Sequence, residues 1–111
     1  MNSKLPAQYE ARAKIIKALA HPSRLFIVEE LKKKARSVGE LAEMIGSDQS
    51  TISKHLSIMK LEGLLFDERH GTTILYHLKC PCILNFIGCV EEVLEMKTEE
   101  HVEIISSCKG R

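Results

Sequence analysis

Features that would indicate a membrane protein or an enzyme are missing from this sequence. No stretch approaches the ~18 consecutive apolar residues of a membrane span, and charged side chains at Lys4, Glu10, Arg12 and Lys14 interrupt the N-terminal region. A glycine-rich phosphate-binding loop and a nucleophile motif are also missing, so nothing in the sequence supports catalysis. We therefore expect a cytoplasmic protein that is not an enzyme and does not bind a membrane.

The chain also lacks an internal repeat, a linker and a strong net charge. Its 111 residues, 44% hydrophobic and 28% charged, fit one globular domain spanning residues 1–111. The net charge of +1 conceals an asymmetry, because residues 1–79 carry 13 basic and 9 acidic side chains, a difference of +4, whereas residues 80–111 carry 3 and 6, a difference of −3. A basic body with an acidic tail over residues 98–111 weakly indicates a face that approaches DNA.

Apolar residues at helical spacing predict a succession of helices in the first half of the chain. Their predicted bounds are Ala7 to Ala20, Pro22 to Lys34, Val38 to Gly46, and Ser47 or Asp48 to Gly63. In the last of these helices Ile52, Leu56 and Met59 should point inward, leaving a polar outer face. Two helices joined by a tight glycine-containing turn predict a helix-turn-helix.

The second half begins with a predicted β-hairpin and ends with another helix. Leu64 to Arg69 and Thr73 to Leu78 are typical of short strands around His70-Gly71-Thr72. A helix over about residues 80–97 then carries an apolar face that exceeds what one small domain needs, formed by Ile83, Phe86, Ile87, Val90, Val93 and Leu94. The predicted fold is mainly α, a winged helix-turn-helix of about five helices plus a two-stranded β-hairpin wing.

Several segments in unbroken order carry a family resemblance that covers about residues 8–95. They are Ala18-Leu-Ala-His-Pro-Ser-Arg24, Val38-Gly-Glu-Leu-Ala42, Gln49-Ser-Thr-Ile-Ser-Lys-His-Leu56, Leu61-Glu-Gly-Leu64 and Leu75-Tyr-His-Leu78. Together they closely resemble the ArsR/SmtB family of bacterial and archaeal repressors. The resemblance implies a winged-helix homodimer that contacts its partner through the first and last helices and leaves operator DNA when an effector binds.

The polar face of the fourth helix is the predicted contact with double-stranded operator DNA. Short polar side chains near the start of such a helix can reach base edges, and Lys54 can reach phosphate. The predicted DNA-binding residues are Gln49, Ser50, Thr51, Ser53, Lys54 and His55, with Arg69 and His70 at the hairpin tip near an adjacent groove. For each, ordinary solvated surface is the alternative, and His55 could instead satisfy a buried backbone group.

A cluster of cysteines, Cys80, Cys82 and Cys89, is the predicted metal site. In a cytosolic chain such thiols are more often reduced, metal-binding or redox-active than part of a structural disulfide framework. The family that this chain resembles has two familiar effector sites, and this chain matches neither. Ser37-Val38-Gly39 stands where one site has Cys-Val-Cys, and Cys80, Cys82, Val93 and Met96 stand at the Asp and His positions of another.

The sequence favours a soft effector over a permanently bound cofactor. Three thiolates suit arsenite or antimonite, and with a fourth ligand they could hold Cd, Pb or Zn. We expect Cys80 near the N-cap of the last helix and Cys82 in its first turn, where thiolates are stabilised. Since seven helical residues span ~10.5 Å, Cys89 can join them only if the helix starts after Cys82 or if the third ligand comes from the other subunit.

Other interpretations of the thiols remain open at this point. A redox or persulfide switch would pair Cys89 or Cys108 with another thiol, because Cys80 and Cys82 are poorly spaced for an unstrained mutual disulfide. Cys89 could instead be a small hydrophobe at the dimer contact. The protein could also be a constitutive DNA-binding module with inert cysteines.

Overall fold

The computed structural model describes the backbone of residues 4–109 and the side chains of residues 4–100. The elements follow in the order α1 (Ala7–Leu19), α2 (Pro22–Lys33), β1 (Arg36–Ser37), α3 (Val38–Ile45), α4 (Gln49–Leu61), β2 (Leu65–His70), β3 (Thr73–Leu78) and α5 (Ile83–Lys109). The chain divides into two compact units, one ending at Pro81 and the other starting at Cys82. Across the described residues, no helix has the length and apolar character needed to cross a membrane.

The helix boundaries in the first unit have local causes in the sequence. Pro22 opens α2, and the Nδ1 atom of His21 accepts a hydrogen bond from the Ser23 backbone N–H at 3.1 Å. Ser37 and Glu40 form a reciprocal capping box at the start of α3, with hydrogen bonds of 3.2 and 3.0 Å. The Ser37 backbone N–H, which donates to the Glu40 carboxylate, holds the pKa of that carboxyl below its usual value. Gly46 ends α3 in the left-handed conformation, as predicted.

The core of the first unit lies where α2, α3, α4 and β2 meet. Its largest fully buried side chains are Ile27, Val28, Leu41, Ile52, Leu56, Met59 and Leu65. Three of them, Ile52, Leu56 and Met59, are those predicted to point inward from α4, and the prediction is confirmed. Because this stripe is used for packing, the opposite face of α4 is available to solvent.

The sheet has three antiparallel strands in the order β1-β3-β2, so the prediction of a two-stranded hairpin was incomplete. The hairpin itself is present: His70 pairs with Thr73 across the two-residue turn Gly71-Thr72, and Gly71 adopts a positive φ of 66°. The additional strand β1 pairs Arg36 with Tyr76. A strand of two residues is too short to show an alternation of apolar and polar residues, so the sequence pattern does not predict it.

The last helix differs from its predicted range of about 80–97. It starts at Ile83 and extends to Lys109. Cys82 directly precedes it instead of lying in its first turn, and the Cys82 carbonyl accepts a hydrogen bond from the Asn85 N–H at 3.1 Å. Pro81 therefore precedes the helix instead of being its first residue. Proline lacks an N–H and fits either position, so the sequence could not fix this boundary. No glycine or proline lies between Met96 and Lys109 to end the helix at the predicted place.

Candidate DNA-binding face and thiol cluster

The structure places most of the predicted DNA-binding residues on one accessible part of α4. Gln49, Ser50, Thr51 and Lys54 are exposed, and Ser53 is half-buried. Helices α3 and α4 are in contact and are joined by the short turn Gly46-Ser47-Asp48. This arrangement presents the start of α4 and its polar side chains outward, which is the geometry that a groove-reading helix requires.

A carboxylate at the start of α4 was not among the predicted site residues. Asp48 precedes the helix, and its Oδ2 atom accepts a hydrogen bond from the Ser50 hydroxyl at 2.9 Å. Hydrogen bonding by the Thr51 side chain, and then by Ser50, lowers the pKa of Asp48 below its usual value. The group therefore stays ionised at neutral pH. From the sequence, Asp48 is predicted only as a possible start of this helix.

His55 is placed differently from the other predicted DNA contacts. Its side chain is only 8% exposed, and its Nδ1 atom accepts a hydrogen bond from the Arg24 Nε–H at 2.9 Å. The His55 ring also lies 4.4 Å from the ring of His21, centroid to centroid. Burial, followed by the neighbouring His21 and Arg24, lowers the pKa of His55. We therefore correct the expectation of a direct contact, because the structure uses this imidazole inside the protein.

The hairpin tip carries Arg69 and His70, both exposed as predicted. Next to them, the Glu68 carboxylate lies 2.9 Å from His77 Nε2 and 3.8 Å from His70 Nε2. At the base of the hairpin, the ring of His77 stacks on Phe66 at a centroid distance of 4.7 Å. The two strands are thus tied to each other by side chains as well as by their backbone ladder.

An ion pair connects the hairpin to α4. The Lys60 ammonium lies 3.0 Å from one carboxylate oxygen of Asp67 and 3.1 Å from the other. Lys60 is in the last turn of α4, and Asp67 is on β2. The pair therefore helps to fix the direction of the hairpin relative to the polar face of α4.

The three thiols of the cluster are all exposed and unoxidised. The Cys80 Sγ atom lies 3.9 Å from the carbonyl oxygen of Gly63, just after the end of α4. Within the described side chains, no group of three or more His, Cys, Asp and Glu residues is arranged to hold a metal ion. The metal site at Cys80, Cys82 and Cys89 stays a prediction. The side chain of Cys108 lies outside them.

Large apolar side chains remain exposed on two helices. On α5, Phe86, Val90, Val93, Leu94 and Met96 are 41–56% exposed. On α1, Tyr9, Ile15 and Ile16 are 37–50% exposed. Exposed apolar surface of this extent on a helix of a small chain is typical of a protein interface.

Comparison with known proteins gives a consistent result. A family model described as bacterial regulatory protein, arsR family, matches residues 21–65. The transcriptional regulator Rv0081 of Mycobacterium tuberculosis is 29% identical over 103 residues, covering 92% of this chain and 90% of that protein. The transcriptional regulator YgaV of Escherichia coli is 35% identical over 92 residues, covering 82% of this chain and 93% of that protein.

Solved structures extend the similarity to the fold. The crystal structure of Rv0081 matches with a TM-score of 0.78 and 30% identity, covering 88% of this chain and 99% of that chain. The solution structure of Mb0332 from Mycobacterium bovis, described as a homodimeric winged helix-turn-helix DNA-binding domain, matches with a TM-score of 0.73 and 27% identity. That match covers 90% of this chain and 95% of the other. The winged helix-turn-helix prediction is thereby confirmed, and the named relatives are transcriptional regulators, not enzymes.

Proposed function

Because this chain belongs to the arsR family of bacterial regulatory proteins, we propose that it is an effector-responsive transcriptional repressor. In this proposal it binds operator DNA as a homodimer and is released when a thiophilic metal or metalloid binds at its cysteine cluster. Arsenite or antimonite is the favoured effector. The observation that carries the proposal is the coexistence of an exposed polar face on α4 with three exposed thiols in residues 80–89.

The DNA-binding role is supported by the division of α4 into two faces. Its apolar side is fully buried, whereas Gln49, Ser50, Thr51 and Lys54 are free to meet a groove. Short polar groups read base edges, and a lysine contributes salt-dependent attraction to phosphate. Arg69 and His70 at the hairpin tip extend this face toward an adjacent groove.

The dimer is supported by the apolar faces left exposed on α1 and α5. These are the helices through which the family resemblance implies the subunit contact, and the related Mb0332 domain is described as homodimeric. A symmetric dimer presents two copies of α4, so the operator should be an imperfect palindrome with half-sites about one or more helical turns apart.

The effector is proposed from the chemistry of the donors. Thiolates prefer soft ions. Helix α5 starts at Ile83, directly after Cys82, which is one of the two conditions that would let Cys89 join the other thiols. Within residues 4–100, however, no group of three or more His, Cys, Asp and Glu side chains is arranged to hold an ion. Seven helical residues separate Cys82 from Cys89 by about 10.5 Å, whereas two sulfurs that share one ion lie at most about 4.6 Å apart. We therefore propose that the site is completed by a thiol of the second subunit.

Release of DNA also needs a connection from the thiols to α4. Cys80 offers one, since its thiol lies beside the Gly63 carbonyl at the end of that helix. Binding an ion as a thiolate removes the sulfur-bound hydrogen that faces this carbonyl. The resulting shift at the end of α4 would change the spacing of the two DNA-reading helices.

A second function of the same fold is a thiol-redox or persulfide switch. The exposure of Cys80, Cys82 and Cys89 favours it, because oxidants reach exposed thiols readily. In this alternative a disulfide or persulfide, not a bound ion, releases the DNA.

Titration of the DNA-bound protein tests both functions. Under reducing conditions, arsenite, antimonite, Cd, Pb and Zn are added separately, and operator affinity should fall about 5–150-fold with the effective ion. Cys80→Ser, Cys82→Ser and Cys89→Ser should each keep DNA binding but lose this response, while Cys108→Ser serves as the control that keeps it. If no ion releases the DNA but peroxide or polysulfide does, the redox switch replaces the metal sensor. Equal binding to scrambled DNA would contradict both.

A further inference from the structure

One guanidinium group joins the end of α1 to the middle of α4. Arg24 is half-buried, and its Nη1 atom donates a hydrogen bond to the Ala18 carbonyl at 3.3 Å. Its Nε atom donates to His55 Nδ1 at 2.9 Å. Ala18 is in the last turn of α1, and His55 follows directly after Ser53 and Lys54 on α4. The contact therefore lies directly after Lys54, the last of the proposed DNA contacts on α4.

The hydrogen bond from Arg24 defines the charge state of His55. Since Nδ1 accepts a hydrogen bond, the neutral ring carries its proton on Nε2. Protonation of Nδ1 would place an N–H donor against the N–H of Arg24 and would lose the bond. The titratable groups that face His55 are Arg24 of α2 and His21 at the junction of α1 and α2. Burial and both of these neighbours lower the pKa of His55, so all three oppose a second positive charge.

We propose that Arg24 and His55 form a positioning pair that holds α4 in its DNA-binding orientation only while the His55 imidazole is neutral. The inference rests on the proposed binding of operator DNA, but it is independent of the effector. His55 acts through Ser53 and Lys54, which it places, and does not touch the DNA. Acidification then weakens operator binding by displacing α4, whereas protonation of an exposed histidine would strengthen attraction to phosphate.

The test compares wild-type protein with His55→Asn, because the asparagine Oδ1 atom can accept the Arg24 hydrogen bond near the position of Nδ1 but does not titrate in this range. Affinity is measured by fluorescence anisotropy from pH 8 down to the lowest pH at which both proteins stay folded, using a duplex that the wild-type protein selects from a randomised pool at pH 7.5. At pH 7.5 the two proteins should bind similarly. Below the pKa of His55, the wild-type affinity should fall relative to the variant by up to about tenfold per pH unit for each subunit, or about a hundredfold for the dimer.

His70→Asn is the matched control, because His70 is an exposed histidine of the hairpin tip. Because His70 lies outside the Arg24–His55 contact, His70→Asn should keep the relative loss of affinity in acid that His55→Asn removes. Superimposable pH profiles for wild type and His55→Asn would overturn the inference while leaving the proposed function intact. A wild-type protein that selects no DNA sequence at pH 7.5 would instead overturn the proposed function.

A second measurement keeps the inference testable if His55→Asn does not fold. The imidazole of His55 is titrated by NMR in the wild-type protein, free and bound to the selected duplex. If DNA requires neutral His55, linkage demands that the pKa of His55 decrease on binding. An unchanged or increased pKa in the complex contradicts the positioning role, since a purely structural imidazole would titrate alike in both states.

Discussion

The exposed apolar face of α5 gives a prediction whose size follows from the structure. Leu94 is 56% exposed in the single chain. Leu94→Ala removes three carbons, and burying three carbons completely is worth about 2.4 kcal/mol. Since 56% of Leu94 is still exposed in the single chain, covering it at an interface would contribute about 1.3 kcal/mol of that amount. A two-fold axis counts the residue twice, so the dimer should weaken by about 2.6 kcal/mol, or roughly 80-fold in its dissociation constant.

Sedimentation equilibrium without DNA measures this dissociation constant, and Leu61→Ala is the matched control. Leu61 is even more exposed, at 82%, but it lies at the end of α4, outside both apolar faces. The same chemical change there should leave the dimer unaffected. If both variants associate like the wild type, or if the wild type is a monomer at low micromolar concentration, the assignment of the α5 face to a subunit contact is wrong.

The remaining predictions concern the DNA face and the start of α3. Gln49→Ala should reduce discrimination between the selected operator and scrambled DNA in competition binding, whereas Lys54→Ala should weaken both and reduce the slope of log affinity against log salt by about one; an unchanged slope would exclude a phosphate contact. Ser37→Ala should cost about 1 kcal/mol in urea unfolding by removing half of the capping box. Because the pKa of Glu40 is lowered in the folded state, its contribution is present above the unfolded value of 4.5 and is lost as pH falls below it. The stability deficit of Glu40→Gln should therefore be seen at pH 7 and shrink as the pH falls below 4.5, and a deficit that stays constant in acid would contradict this cause.

Much of the first unit could be predicted because its signals are local. His21-Pro22 marks the junction between α1 and α2, and Gly46 ends α3. The spacing of Ile52 and Leu56 identifies the buried side of α4, and with it the polar side that forms the candidate DNA face. Each of these features depends on residues within one turn of helix or one tight loop.

The structural features that the sequence does not predict depend on contacts between residues far apart along the chain. Strand β1 exists because Arg36 pairs with Tyr76. His55 looked like one more polar residue of α4, and only the approach of Arg24 from another helix shows that it is buried. The metal site at the cysteine cluster stays a prediction, because a shared ion requires donors that meet in space, and closeness along the chain does not by itself bring them together.

The hydrogen bond between Ser50 and Asp48 restricts what Ser50 can recognise on the proposed DNA face. A serine hydroxyl has one hydrogen to donate, and here that hydrogen points to the Asp48 carboxylate. Only its lone pairs remain, so Ser50 can accept from the exocyclic amine of adenine or cytosine but has no hydrogen left for a phosphate oxygen. The ionised Asp48 beside it prefers the same partners. The Ser50–Asp48 pair at the start of α4 thus offers acceptors only, complementary to amino groups in the major groove and repelled by phosphate, whereas the neighbouring Gln49 amide and Lys54 ammonium still supply donors.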